Sequence, residues 1–348
     1  MLKKISFVII GILFSQGILK AQTSQLKDTT VFTLGFSTYL SHTDKYASGF
    51  DIYADSEGYT YISGNTRDKN FPATEGAYQT ELKGSADVFV VKYTPEGKIV
   101  FATLIGGAKR EHHSGITVDD AGYIYIVGGT HSSDFPVTEG SYDTSFNGEG
   151  AWAGDVFVTK LNPTGTDIVF STFLGGEVEE TVGQGSIKVD SKGNIIVVGF
   201  TKSNNFPLTE GSINDNDNMH GFITKLSPGA KKLLFSTAFG SSTMEGVTAV
   251  DIDDLDNIYL SGSTYSEDLP VTDNAFRKEI IMPKTGGVAD HYIAKINGED
   301  HKISYFSYFA TNGYPGAAIK WAKPNRLILC GSTSGEGFPA TENAISKE

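Results

Sequence analysis

Short runs of apolar, β-branched and aromatic residues alternate with turn-forming residues along most of the chain. Gly115 to Asp119 and Tyr123 to Thr130 are two such runs, and Asp155 to Leu161 and Ile168 to Leu174 are two more. A tight turn separates the first from the second and the third from the fourth, whereas a long polar segment joins the middle two. β-Branched and aromatic runs between turn signals are typical of strands. The pattern predicts a four-stranded antiparallel meander.

This arrangement recurs about every 67 residues. A phenylalanine in the fourth run and a proline in the long polar segment mark each unit. The markers are Phe36, Phe101, Phe170, Phe235 and Phe306, with Pro72, Pro136, Pro207, Pro270 and Pro339. Repeats of this length indicate an array of units that bury their faces against one another.

The strand runs are almost continuously apolar, which indicates burial on both faces. Four-stranded sheets stacked between similar sheets define a β-propeller, so we predict an all-β fold with four complete blades and a partial fifth, forming an incomplete ring. Known propeller repeats span roughly 40 to 50 residues. We assign the surplus to the long segment between the second and third strands.

Three stretches carry a family resemblance: "DSKGNIIVVGFTKSNNFPLTEGS", "DVFVTKLNPTG" and "IVFSTFLGG". They resemble the bacterial SBBP (seven-bladed β-propeller) repeat family, and the resemblance extends from Val31 to the C-terminus. It implies a secreted or surface propeller without a general activity, so no catalytic residue is transferred. The fifth unit departs from the pattern at "WAKPNR" and the third at "GSINDNDN".

The sequence predicts three successive parts of the chain. A basic start, an apolar run and Ala21 predict a signal peptide over 1–21, followed by a short linker over 22–30. The repeat array then occupies 31–348, with units starting near 36, 101, 170, 235 and 306. Because the fifth unit lacks the third-strand element, we expect a chain truncated at its C-terminus. The alternative is a five-bladed ring with a defective blade.

The net charge limits which classes of partner the protein can bind, and the cysteine count limits its disulfides. The chain has 28 Lys and Arg against 41 Asp and Glu, a net charge of −13. An acidic surface argues against nucleic acid and anionic membrane as partners. We therefore expect a secreted or cell-surface protein without membrane insertion after signal removal. The single cysteine, Cys330, permits no internal disulfide and is expected to be a small buried filler.

Acidic residues recur in the links between units, which we expect to surround the mouth of a central channel. They are Asp44, Glu111, Glu180 and Glu245. Converging carboxylates can hold a hard cation such as calcium, and this is the metal site that the sequence suggests. The alternative is that they are solvated loop acids of an acidic protein.

A second candidate site combines one link with the long loop of the same unit. Glu111, His112, His113 and Trp152 are predicted to bind a ligand, because aromatic residues beside polar loops anchor sugars and protein partners. Aspartates at the first turn and lysines in the third strand recur in all four complete units, which favours structural pairing.

No recognised nucleophile, phosphate-loop or zinc motif occurs in the sequence. The leading hypothesis is therefore a non-catalytic propeller that binds an extracellular polymer or a surface protein. Two alternatives stay open: a glycan-active hydrolase or lyase with acids at the channel mouth, and a structural spacer of a larger surface protein.

Overall fold

The structure is a computed structural model that describes residues 36–38, 40, 46–148, 150, 154–209, 219–240, 245–280, 289–313, 318–323 and 326–331. These residues form 19 strands and no helix, so the predicted all-β class is confirmed. Within this described part, a helix with the length and apolarity needed to cross a bilayer is not found.

The strands group into four full blades and a two-stranded fifth. Blade one contains β1 (Ala47–Ala54), β2 (Thr60–Thr66), β3 (Asp87–Tyr93) and β4 (Ile99–Ile105). Blade two contains β5 (Glu111–Val118), β6 (Ile124–Thr130), β7 (Asp155–Leu161) and β8 (Ile168–Leu174). Blade three contains β9 (Glu180–Thr181), β10 (Ile187–Val189), β11 (Ile195–Thr201), β12 (His220–Leu226) and β13 (Leu233–Phe239). Blade four contains β14 (Glu245–Ile252), β15 (Ile258–Thr264), β16 (Ala289–Ile296) and β17 (Ile303–Gly313), and blade five β18 (Ala318–Ala322) and β19 (Arg326–Cys330).

Every blade is an antiparallel meander in chain order, as predicted. The first strands of successive blades are neighbours, since β5 packs against β1 and β10, and β14 against β10 and β18. The first strands therefore lie innermost, and the fourth strands lie on the outside. This places the links between blades at one end of the inner strands.

The core lies between blades rather than within them. Val158 of β7 packs in one cluster with Ile195 and Val197 of β11 and with Phe222 and Leu226 of β12. All seven residues of β6 and of β15 are buried. Burial of both sheet faces explains why the strand sequences are apolar at consecutive positions.

The long polar segment reaches the outer edge of each of the four complete blades. Phe135 stacks on Phe157 with ring centroids 4.3 Å apart, which holds the segment against the sheet. Thr138 N then donates to Ser171 O at 2.9 Å, and Ser171 N donates to Thr138 Oγ1 at 3.0 Å. The same exchange joins Thr74 to Ala102. The surplus residues of the repeat thus satisfy the edge of the fourth strand, an edge that otherwise invites pairing with other chains.

Phe36 packs against blade one as the fourth-strand phenylalanine of one blade packs against the next. Its ring lies against Tyr93 at 5.7 Å and against the turn at Gly97. Phe101 of blade one lies in the same way against Gly165 of blade two. Phe36 therefore occupies the place of a preceding blade's fourth strand, which is the role that its sequence predicts.

The recurring glycine at the end of the second strand permits close approach of two strands. A Cβ on Gly64 would stand directly against the carbonyl oxygen of Ser48 and 2.6 Å from the Phe89 ring. Gly199 and Gly262 lie in equivalent contact with their own first and third strands. A side chain of any size is excluded at this position.

The expectation for Cys330 is wrong, because its side chain is exposed. The residue before the recurring glycine is buried in the other blades, as Ser63, Val127, Val198 and Ser261 show. In blade five, the described residues place only β18 beside β19, so the side chains of β19 receive less cover.

Candidate functional site at the blade links

The link acids begin the innermost strands and are buried. Glu111 starts β5, Glu180 starts β9 and Glu245 starts β14, and each is at most 1% exposed. The backbone nitrogen of each donates to a carbonyl just before the third strand of the preceding blade, as Glu111 N does to Ala86 O at 2.8 Å. The acids therefore lie inside the junctions between blades and are not solvated.

Each buried carboxyl is held by hydroxyls of its own blade. Glu111 Oε1 accepts from Thr130 Oγ1 at 2.8 Å and from Ser132 Oγ at 2.6 Å, and Oε2 accepts from Gly107 N at 3.3 Å. Glu180 repeats this with Thr201 Oγ1 at 2.7 Å and Gly176 N at 3.1 Å. The carboxyl thus ties the link to the end of the second strand.

A second carboxyl from the preceding blade faces the first. Asp87 Cγ and Glu111 Oε2 lie 2.5 and 2.6 Å from the position that a Cβ on Gly106 would occupy. Asp87 accepts from Gln79 Nε2, Lys83 N and Gly84 N at 2.6 to 3.0 Å. Burial raises the pKa of Glu111 to about 8, and the charge of Asp87 adds to the rise. The two carboxyls therefore lie close together in a junction whose burial disfavours the charged form of Glu111.

The next two junctions also contain buried titratable side chains, but of different types. Asp155 and Glu180 both lie against Gly175, burial raises the pKa of Asp155 to about 7, and it also raises the pKa of Glu180. In blade three, His220 takes the place of the aspartate at the start of the third strand. The junctions therefore contain titratable groups that are withdrawn from solvent.

The predicted calcium site keeps its carboxylates in separate junctions. Asp44 lies outside the described residues, and Glu111, Glu180 and Glu245 each belong to a different blade junction. Across the residues that the structure describes, no group of three or more His, Cys, Asp and Glu side chains is placed to hold a metal ion. Calcium binding by these residues stays a prediction.

The four predicted ligand-binding residues do not form one exposed surface. Glu111 is buried, and His112 is 3% exposed with its ring 5.4 Å from that of His131. The side chain of His113 and the whole of Trp152 lie outside the described part of the structure. Ligand binding by this set stays a prediction, and Glu111 and His112 offer almost no surface for direct contact.

In the two links that the structure describes in full, the tips are residues 108–110, which are exposed, and residues 177–178, of which the first is exposed and the second half-buried. Backbone donors fix both link tips to the loop after the second strand. Ala108 N donates to Asp134 Oδ1 and Lys109 N to Ser132 Oγ, both at 2.9 Å. In the next link, Glu177 N donates to Asn205 Oδ1 and Val178 N to Ser203 Oγ, again at 2.9 Å. The two tips are therefore held by the same pattern of backbone hydrogen bonds, which is called the tip frame below.

The inner strands carry an aspartate, Asp51, that sequence reasoning missed. Asp51 Oδ2 accepts from Ile116 N at 3.0 Å and from Gly185 N at 3.2 Å, so one carboxylate contacts blades two and three. Burial raises the pKa of Asp51, while its backbone hydrogen bonds and Lys188 oppose the rise. Asp51 occurs in one unit only, and the repeat pattern therefore gives no signal for it.

Asp251 of blade four connects blades three and five in the same region. Its carboxylate lies 3.4 Å from Lys188 Nζ and 3.2 Å from Lys320 Nζ, and it accepts from Trp321 N at 2.7 Å. Blades three, four and five each contribute one member of this Lys–Asp–Lys row. The row is a structural connection between inner strands, and its outermost member, Lys320, is largely exposed.

The recurring turn aspartates and lysines have the structural role that their repetition predicts. Asp119 Oδ1 accepts from Ala121 N and Tyr123 N, and its Oδ2 accepts from Tyr125 OH at 3.0 Å. Lys160 Nζ lies 3.3 Å from the same Oδ2. Aspartate, tyrosine and lysine thus close the turn between the first two strands.

The four-stranded meanders and the order of the blades define a β-propeller. Residues 100–136 match the SBBP family, described as a beta-propeller repeat, which confirms the resemblance over that stretch. The match begins in β4, crosses the first described link and ends after β6. No curated protein matches the chain.

Solved structures share this architecture at low sequence identity. A protein of unknown function from Dyadobacter fermentans is 10% identical, with a TM-score of 0.50 over 83% of this chain and 76% of its own. An ulvan lyase of polysaccharide lyase family 25 is 10% identical, with a TM-score of 0.42 over 86% of this chain and 64% of its own. An exo-1,5-α-L-arabinanase from a bovine ruminal metagenomic library is 10% identical, with a TM-score of 0.34 over 83% and 89%. Likeness at this level concerns the fold alone.

Proposed function

We propose that this protein is an extracellular interaction module that binds a polymer or a surface protein through its link tips. The observation that carries the proposal is that the hydrogen bonds holding the tips are the same in both links, while the side chains exposed there differ. Two successive links are fixed by equivalent backbone hydrogen bonds, yet one exposes Lys109 and Arg110 and the other Glu177. Preorganised loops bind with a small entropic cost, which favours recognition at such positions.

The charge of the first tip indicates the chemistry of the partner. Lys109 and Arg110 are exposed neighbours on a chain whose net charge is −13. A local cationic site on an acidic surface attracts anionic groups and repels cationic ones, which gives specificity as well as faster association. The proposed partner is therefore a carboxylated or sulfated extracellular polymer, or an acidic segment of a surface protein.

Charge reversal at the tip tests the proposal. Lys109→Glu with Arg110→Glu should weaken binding to carboxylated and sulfated polysaccharides at least tenfold in a binding array run at low salt, because attraction becomes repulsion. Lys231→Glu with Lys232→Glu is the matched control, since it changes the net charge equally in an exposed turn at the opposite end of blade three. Equal loss in both double variants would contradict a role for the tip.

The same array, read for turnover as well as binding, separates the alternatives. Glycan cleavage that is abolished by Glu111→Gln or Glu180→Gln would favour the hydrolase or lyase. Neither binding nor turnover would favour the spacer. We expect binding without turnover, because both carboxyls are buried and engaged by hydroxyls of their own blade.

A further inference from the structure

A segment of blade one lies directly against the tip of the link between blades one and two. Ser85 N donates to Lys109 O at 2.6 Å, and Ala86 forms a parallel bridge with Arg110. Lys83 comes just before this contact in the chain and is exposed. Lys83 of blade one and the tip residues Lys109 and Arg110 are therefore neighbours on one surface that crosses the blade junction.

His131 of blade two adds a fourth basic side chain beside Arg110. His131 N donates to Arg110 O at 3.0 Å, so the two residues lie opposite each other where β6 ends and β5 begins. His131 is half-buried, and its ring centroid lies 5.4 Å from that of His112. The four residues Lys83, Lys109, Arg110 and His131 are called the basic surface below.

The equivalent surface at the next link has a different charge. Asn147 N donates to Asp155 Oδ2 at 2.8 Å. Lys83 N makes the same hydrogen bond to Asp87 Oδ2 at 2.9 Å, so Asn147 occupies the place of Lys83. The tip of this link exposes Glu177 where the first link exposes basic residues. The basic surface therefore belongs to one link and is not a property of the repeat.

The facing pair beside the tip differs in the same direction. Lys202 N donates to Glu179 O at 3.0 Å, as His131 N donates to Arg110 O, so the two pairs are equivalent. Lys202 Nζ and Glu179 Oε1 form an ion pair at 2.5 Å, whereas Arg110 and His131 are both basic. Two facing basic residues attract an anionic group of a ligand together, because each favours negative charge at the same place.

The other exposed residues around the basic surface are hydrophilic or small. Its acidic neighbours are Glu81 and Asp134, and Asp134 Oδ1 accepts from Ala108 N. None of the large hydrophobic residues that are exposed in the described part of the chain lies within 81–86, 108–110 or 131–134. Protein partners are usually anchored by aromatic and apolar side chains that need an apolar surface to receive them. The surface therefore favours a hydrophilic anionic ligand over a folded protein.

We propose that the basic surface binds an anionic polysaccharide chain across the junction of blades one and two, and that Lys83 and His131 take part with the link tip. This inference rests on the proposed function and assigns its ligand to one class. Lysine and arginine bind sulfate and carboxylate groups through charge-assisted hydrogen bonds. The tip frame holds the backbone of Lys109 in place before the ligand arrives, which lowers the entropic cost of binding.

Lys83→Gln tests the inference, with Lys98→Gln as the matched control. Lys98 is exposed in the turn between β3 and β4, at the opposite end of blade one. Heparin and polygalacturonate are the sulfated and carboxylated probes, and dextran is the neutral one. Lys83→Gln should weaken binding of the anionic probes about threefold at low salt and make their affinity less dependent on salt, whereas Lys98→Gln should change neither. Binding of either anionic probe, without binding of dextran, supports the proposal.

A second variant transfers the charge pattern to the next link. Asn147→Lys with Glu177→Lys places two cations at exposed positions, while the backbone amides that hold this link keep their acceptors. The double variant should bind heparin or polygalacturonate at least threefold more tightly than the unmodified chain, because the anionic polymer then meets a second basic surface. Circular dichroism checks that each variant is folded.

The outcomes separate this inference from the proposed function. Equal binding by Lys83→Gln and Lys98→Gln, while Lys109→Glu with Arg110→Glu still weakens binding, would overturn this inference and leave the proposed function intact. Equal binding by the tip variant as well would contradict both. Binding of poly-L-glutamate without binding of either anionic polysaccharide would overturn the assignment to a polysaccharide in favour of an acidic protein segment.

Discussion

Gly64→Ala is expected to lower the free energy of unfolding by about 3 kcal/mol or more. The new methyl group would meet the Ser48 carbonyl oxygen and the Phe89 ring, and both belong to strands that pair with β2 itself. Backbone cannot yield without breaking the ladder of blade one. Urea unfolding followed by circular dichroism measures the change.

Gly49 provides the matched control, because it faces Gly64 across the same strand pair. A Cβ there meets only Ile62 at 3.6 Å, an ordinary contact distance. Gly49→Ala should therefore change stability by less than about 1 kcal/mol. Similar losses for both variants would show that loss of glycine as such, rather than close approach, determines the effect.

The stability of the protein should fall as the pH rises from about 4.5 to about 8, and Glu111→Gln should remove part of that fall. The folded pKa of Glu111 is raised to about 8 from an ordinary value of 4.5, so the folded state retains a proton that the unfolded chain releases in this window. The contribution is complete below the ordinary pKa and is lost by about pH 8. By linkage, the rise of the pKa from 4.5 to about 8 amounts to roughly 5 kcal/mol.

Unfolding measured at several pH values between 4 and 9 checks this expectation. A glutamine keeps the size of the side chain and does not titrate, so the variant should show a shallower dependence on pH. Glu177→Gln, in the exposed tip of the next link, should keep the dependence of the unmodified chain. A slope that is unchanged in Glu111→Gln would show that this carboxyl is not a linked group.

The fold follows from local sequence because the blade repeats its signals. Strand runs, turn aspartates and the phenylalanine of the fourth strand recur in the four complete units, so each prediction is supported several times. Phe36 shows how far this extends, since its contact with Gly97 repeats that of Phe101 with Gly165. The role of the long segment at the sheet edge was not predicted, because the exchange of hydrogen bonds by Thr138 depends on a loop path that periodicity does not encode.

The environment of the link acids could not be predicted for a related reason. Glu111 lies in a polar stretch of sequence, and such stretches are usually exposed. Its surroundings include Ser132, which lies 21 positions away in its own blade, and Asp87, which meets it only when two blades pack. Asp51 is harder still, since its partners Ile116 and Gly185 are backbone groups whose amino-acid type gives no indication of the contact.

The hydrogen bonds that hold the link tips do not depend on which side chains the tips carry. The tip atoms that form these hydrogen bonds are the amides of Ala108, Lys109, Glu177 and Val178, and an amide is available from every amino acid except proline. A combinatorial library that randomises these positions without proline should therefore retain most folded members. New recognition properties can accumulate there without a loss of thermodynamic stability, which makes the link tips the natural place for this architecture to diversify.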